Sequence, residues 1–128
     1  MKALQYHFSK DEYVSFDVDF EHQKVQEIGQ SVFLLLHGDI PKANIKTILQ
    51  REGRKEYGRT THAYVLLGHV HHCVVNDEGG VMIMSLPSPT DPDYWHKQQS
   101  YGGNWRGTYC FIVDHKKGIT DTWHIGTK

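Results

Sequence analysis

The sequence predicts one α/β domain over residues 1–128, a mixed and mostly β sheet carrying one main helix. Three observations lead there. Two continuous apolar runs, Val32 to Leu36 and Ala63 to Leu67, have the length and β-prone composition of strands buried on both faces. Between them Ile45, Ile48 and Leu49 recur at helical spacing. Two later stretches read as hairpins, each a pair of apolar segments around a polar, Gly-containing turn. With 128 residues, of which 38% are hydrophobic and 23% charged, the chain suffices for one core and is short for two.

Taken in order, Ala3 to Phe8 suggests the last turns of a helix, followed by a turn at Ser9-Lys10-Asp11-Glu12. Tyr13 to Phe20 alternates apolar and polar residues from Val14 on and predicts a half-buried strand, with Lys24 to Ile28 as its hairpin partner. Gly29 and Gln30 turn the chain into Val32-Phe33-Leu34-Leu35-Leu36, which delivers His37 at its C-terminal end. Asp39 is positioned to cap the helix, with Pro41 in its first turn and an end near Tyr57-Gly58. Ala63 to Leu67 then ends at Gly68-His69-Val70-His71-His72. Cys73 to Val75 and Val81 to Met84 flank the turn Asp77-Glu78-Gly79-Gly80. Pro87, Pro89 and Pro92 make the next stretch an irregular loop, because each removes a backbone donor and disfavours helix before it. A short helix is expected around Tyr94 to Ser100, and the chain closes on a hairpin, Thr108 to Val113 and Ile119 to Ile125, around Asp114 to Gly118.

Composition narrows the function. Lys and Arg number 14 against 15 Asp and Glu, a formal charge of -1, which speaks against a nucleic-acid coat or a membrane-surface protein. Neither a signal peptide nor an apolar stretch of membrane-spanning length is visible, so a soluble, cytoplasmic protein is expected. Cys73 and Cys110 sit in β-like apolar stretches without Cys-x-x-Cys spacing and read as small buried hydrophobes in a reducing compartment. Lys42, Lys46, Arg51, Arg54, Lys55 and Arg59 outnumber Glu52 and Glu56 along the helix and its exit. That run would draw a phosphodiester backbone, and a solvated helix face accounts for it as well. Tyr94, Trp95, Tyr101 and Trp105, with Arg106, suit base stacking or ordinary rim packing.

The chain holds 10 histidines, and three of them follow apolar strands, where ligands converge. His69 and His71 are two residues apart in an extended turn and reach one small volume. Gly68 lets the backbone approach there without a Cβ. His37 leaves the neighbouring strand in the same way. Three imidazoles and water suit Zn, Mn, Fe or Co. The plainer alternative makes His37 a donor to a backbone carbonyl and His69 to His72 a polar turn, which fits His72 best. His62, His96, His115 and His124 lack any partner pattern and read as structural or surface residues.

The order of a strand ending in His37, a helix, a strand ending in Gly68-His69-Val70-His71 and a hairpin resembles the latter half of the calcineurin-like metallophosphoesterase α/β sandwich, over Val32 to Ile125. Ser85 to Ser88 and Thr90 to Tyr94, with the final hairpin, are similar to phage and prophage members described as DNA repair exonuclease-like. The resemblance implies hydrolysis of phosphomonoesters or phosphodiesters, with nucleic acid among the substrate classes. It implies two divalent ions, Mn, Fe or Zn, holding a hydroxide that attacks phosphorus in line. His37 and His69 would bind one ion and His71 the other. The family's earlier motifs, Asp-x-His, Gly-Asp-x-x-Asp and Gly-Asn-His-Glu/Asp, are missing, and His37-Gly38-Asp39 lies where a later histidine belongs. A strand would put Asp17 and Asp19 on one face with no histidine beside them, so they do not replace those motifs. The expectation is therefore the C-terminal half of a catalytic domain, inactive as this chain alone, with the carboxylate half lost or supplied by a second polypeptide. The alternative is a non-catalytic metal-binding or homo-oligomeric interaction module of the same fold.

Overall fold

The computed structural model describes residues 2–17, 21–39, 41, 44–68, 74–89 and 106–126. A short helix α1 (Lys2–His7) leads into an irregular segment, then strands β1 (Gln23–Ile28) and β2 (Ser31–Leu36), helices α2 (Ile45–Glu52) and α3 (Arg54–Arg59), strand β3 (His62–Leu67), hairpin β4 (Val74–Asp77) and β5 (Val81–Ser85), and hairpin β6 (Gly107–Asp114) and β7 (Gly118–Gly126). The first five strands form one sheet in the order β1-β2-β3-β5-β4; β6 and β7 form a separate two-stranded sheet. β2, β3 and β5 run parallel, and the edges β1 and β4 run antiparallel to their neighbours. The mixed, sheet-dominated α/β class expected from the sequence is the one observed.

Strand parity builds the core. Val32 and Leu34 of β2, Ala63, Val65 and Leu67 of β3, and Val81 and Ile83 of β5 face one side, where Ile45 and Leu49 of α2 close over them. Val32, Leu34, Leu49, Val65 and Val81 are fully buried. Every apolar group thus removed from water contributes about 25 cal/mol per Å². On the opposite face Phe33 stacks on Tyr64, with ring centroids 4.9 Å apart and an interplanar angle of 16°.

Three expectations are corrected. The Tyr13 to Phe20 strand does not form among its described residues: positions 14–17 are irregular, and β1 pairs with β2 instead. The single helix is two, broken at Gly53, where a Cβ would lie 3.0 Å from the Leu49 carbonyl oxygen and 3.3 Å from Val25 Cγ1. Its start is Asn44 rather than Asp39, and Asn44 makes no side-chain cap. Cys110 is an exposed free thiol rather than a buried hydrophobe. On β6 the inward, half-buried side chains are Tyr109, Phe111 and Val113, while Thr108, Cys110 and Ile112 point out. Cys73, the Tyr94 to Ser100 helix and the aromatics Tyr94, Trp95, Tyr101 and Trp105 lie outside the described residues.

A two-stranded sheet is marginal by itself, so the contacts of the β6–β7 turn matter. The Gln30 amide donates to the His115 carbonyl at 2.7 Å, and the Ile119 amide donates to the Tyr64 hydroxyl at 2.9 Å. His62 Nε2 lies 2.9 Å from the Lys116 carbonyl oxygen, and because a carbonyl only accepts, Nε2 carries the proton. This turn therefore seals the N-terminal end of the parallel strands. At the far end of the hairpin the Gly107 amide reaches the Ser88 carbonyl at 3.2 Å. Within the turn, the Asp114 carboxylate accepts from the Lys116 and Lys117 amides at 2.8 and 2.9 Å. Those two backbone hydrogen bonds, Lys116 first, hold its pKa below the usual 3.8.

Three outcomes follow. Gly118 has φ +78° and its Cβ position is occupied by the Tyr64 hydroxyl, so Gly118→Ala lowers unfolding stability in urea by about 1–3 kcal/mol or more. Gly58, in α3 with open space around its Cβ position, has the opposite sign: Gly58→Ala raises stability by roughly 0.5–1 kcal/mol. A folded-state carboxyl with a depressed pKa stabilises above its unfolded value and loses that contribution as pH falls through the folded one. Amide protection of Lys116 and Lys117 should therefore persist at pH 3.8 and fade below it, and Asp114→Asn should remove this acid dependence.

Candidate metal centre

The C-terminal ends of the three parallel strands are tied together beyond their ladders. The Gly68 amide donates to the His37 carbonyl at 3.0 Å, and the Leu86 amide donates to the Leu67 carbonyl at 2.7 Å. His37 thus stands at the end of a strand buried from Ser31 to Leu34, with its own backbone anchored to the residue that opens the Gly-His-x-His motif. Its side chain is exposed to solvent. His69 and His71 lie outside the described residues, so of the three expected ligands the structure places His37.

A cavity of about 460 Å³ opens at this end of the sheet. Its floor is apolar, formed by Leu35, Leu36, Leu66, Leu67 and Leu86, and its rim carries Asp17, Glu21, His22, Lys24 and His37. A second cavity of about 440 Å³ is shared by His22, His37, Asp39 and Ile48. Crevices outside the carboxyl ends of parallel strands are where open α/β sheets bind ligands. Asp17 enters the rim because its segment is not a strand. Lys24 Nζ holds it there, at 2.8 Å from Asp17 Oδ1 and 3.2 Å from its carbonyl oxygen.

Asp17, Glu21, His22 and Lys24 were not singled out by sequence reasoning as part of this site. The signal was available in one place. The two-residue turn Gly29-Gln30 fixes the β1–β2 register, which pairs Gln23 with Leu36 and leaves His22 and His37 one residue beyond that last pair. Gly68 also differs from expectation. A Cβ there would meet nothing among the described residues closer than the His37 carbonyl oxygen at 4.0 Å, and its φ is not positive. Among the described residues no close approach demands glycine at this point.

The basic run of the helices points elsewhere. Arg59 binds Glu27 through its Nη2 at 2.6 Å and its Nε at 2.8 Å, and that side-chain hydrogen bond raises its pKa. Lys46 Nζ donates to the Gly79 carbonyl at 3.2 Å, and Arg51 pairs with Glu52 at 2.7 Å. Glu27 and Gly79 both sit at the N-terminal end of the parallel strands, away from His37. These three basic residues serve local pairing rather than the cavity.

The donor chemistry of the rim, imidazole and carboxylate, fits a divalent metal. Among the described residues no three His, Cys, Asp or Glu side chains converge as a complete ligand group. A full coordination shell therefore needs donors from outside them. No helix among the described residues is long and apolar enough to cross a membrane.

No family model and no curated protein matches the sequence. The fold is similar to that of a Vps29 variant from Entamoeba histolytica, with a TM-score of 0.51 and 15% identity, over 90% of this chain and 67% of that one. A conserved uncharacterized protein from Streptococcus pneumoniae, a predicted phosphoesterase, aligns with a TM-score of 0.42 and 13% identity, over 88% of this chain and 66% of that one. The chain thus spans about two thirds of either protein's length. The likeness to Vps29 concerns the fold alone.

Because the Gly68 position has room and ordinary backbone angles, Gly68→Ala should leave the fold and the His37 carbonyl contact intact. An unchanged amide spectrum for β2 and β3, and a change in stability within about 1 kcal/mol, would bear this out.

Proposed function

We propose that this chain is the imidazole-bearing part of a metal-dependent phosphoesterase, acting on phosphomonoesters or phosphodiesters with nucleic acid among the candidate substrates. One observation carries the reading: the Gly68 amide bonds the His37 carbonyl at 3.0 Å. His69 is the next residue in the sequence and His71 follows two later. The bond draws the strand ends that precede both histidine motifs to one end of the sheet. His37, His69 and His71 are the proposed ligands. The metallophosphoesterase-like fold supports the assignment at the level of architecture.

Bound divalent ions of the Mn, Fe or Zn class supply Lewis acidity and an activated water. The residues of this chain hold and orient. β2, buried from Ser31 to Leu34, presents His37 at its end, and leucines line the cavity beside it. Asp17 and Glu21 place negative charge on the rim, and Lys24 partly offsets it by engaging Asp17. A binuclear centre needs more carboxylate than this to balance two dications. The remainder is proposed to come from an N-terminal-half polypeptide, and the cytoplasm is the proposed location.

A second reading, a non-catalytic homo-oligomeric module, draws support from β4, an edge strand with all four residues exposed, Val74 and Val75 among them. Sedimentation separates the two, since a monodisperse monomer counts against the module.

For the phosphoesterase reading, elemental analysis of purified protein should find Mn, Fe or Zn, and His69→Ala should lower that content. Addition of a polypeptide carrying the missing motifs should produce Mn-stimulated hydrolysis of an activated phosphodiester. Metal-free protein together with an inactive reconstituted pair would falsify the reading.

A further inference from the structure

The β1–β2 ladder runs without a bulge from Ile28↔Ser31 to Gln23↔Leu36. The residue just beyond each strand end is a histidine, His22 before β1 and His37 after β2. Continuing the ladder by one step would oppose them, and opposed residues of an antiparallel pair share a face with Cβ atoms about 4.5–5.5 Å apart. Two imidazoles span that separation around a single ion, whose metal–nitrogen bonds are about 2.0–2.1 Å for zinc. Both rings also line the two cavities that meet at this point.

We propose that His22 and His37 form a cross-strand chelate for an imidazole-preferring transition-metal dication, with His22 a ligand contributed from the N-terminal side of the sheet. The surrounding charge favours a cation. Asp17 and Glu21 share the rim of the larger cavity and Asp39 that of the smaller. The nearby ammonium of Lys24 is held by Asp17 at 2.8 Å. No third described side chain completes the group, so the remaining coordination positions fall to water or to donors outside the described residues. The pair shares His37 with the function proposed above and rests on that reading only to that extent, because it requires neither His69 nor His71.

The test uses the full chain, stripped of metal with EDTA and titrated with Ni²⁺, which imidazole binds well. Paramagnetic broadening of the histidine ring ¹⁵N–¹H correlations is the readout. The rings of His22 and His37 should broaden together at the lowest additions and recover with EDTA. A second imidazole on the same scaffold acts at a high effective concentration, so His22→Ala or His22→Gln should weaken Ni²⁺ binding by roughly tenfold or more. The same loss should appear in a chain already carrying His69→Ala and His71→Ala. His22 is exposed and precedes β1, and the amide spectrum of either variant verifies that the hairpin is retained. An unperturbed His22 ring, or His22 variants that bind like the parent, would overturn the proposal. Weakening by His22 variants but not by the His69/His71 pair would keep the chelate and remove the three-histidine site; the reverse would remove the chelate alone.

Discussion

Strand β2 has no spare hydrogen-bonding edge. β1 occupies one side in antiparallel register and β3 the other in parallel register, and Val32 and Leu34 are fully buried beneath α2. The alternation of β2 decides which residues meet the helix and which meet the opposite face. Val32 and Leu34 join Ala63, Val65, Ile45 and Leu49 in the core. By the same parity Phe33 stacks on Tyr64 on the other side, where the Tyr64 hydroxyl receives the Ile119 amide of the terminal hairpin. Helix packing and hairpin docking are thus two readings of one strand's pleat.

Much of this was legible in the sequence because the dominant signals were local. The runs Val32 to Leu36 and Ala63 to Leu67 became β2 and β3, and the turns at Asp77 to Gly80 and Asp114 to Gly118 became hairpins. What failed was non-local. Tyr13 to Asp17 has an alternating pattern, yet positions 14–17 stay irregular although β1, the expected partner, lies at the edge of the sheet. Cys110 sits in a β6 sequence that is apolar on both faces, and only docking decides which face turns inward. The break at Gly53 sits where an added Cβ would meet the Leu49 carbonyl oxygen at 3.0 Å and Val25 Cγ1, distant in sequence, at 3.3 Å. Of the site, His37 was readable as a strand-end residue. His22 required knowing the pairing of β1, and the rim positions of Asp17 and Lys24 required knowing that the preceding segment is irregular.

The two ends of the parallel strands are chemically unlike. At the N-terminal end backbone groups of the hairpin turn are satisfied by Gln30, His62 and Tyr64, and Lys46 and Arg59 are engaged with Gly79 and Glu27. That end is closed by mutual hydrogen bonding. At the C-terminal end stand two open cavities with imidazole and carboxylate on their rims. The sorting explains why a basic stretch prominent in the sequence lies remote from the cavities, and why overall charge was a poor guide to local potential.

The two-residue connection at Gly29-Gln30 constrains how this protein can diverge. Side chains along β1 can drift with modest penalty, since most of them are only half-buried or exposed. Chain length there cannot. Adding or deleting one residue would slide the pleat by one step, carry Val25 out from under the helices and displace His22 from its place beside His37. Insertions and deletions in this lineage should therefore collect in other loops, and the spacing between positions 22 and 37 should survive longer than the identities of the residues between them.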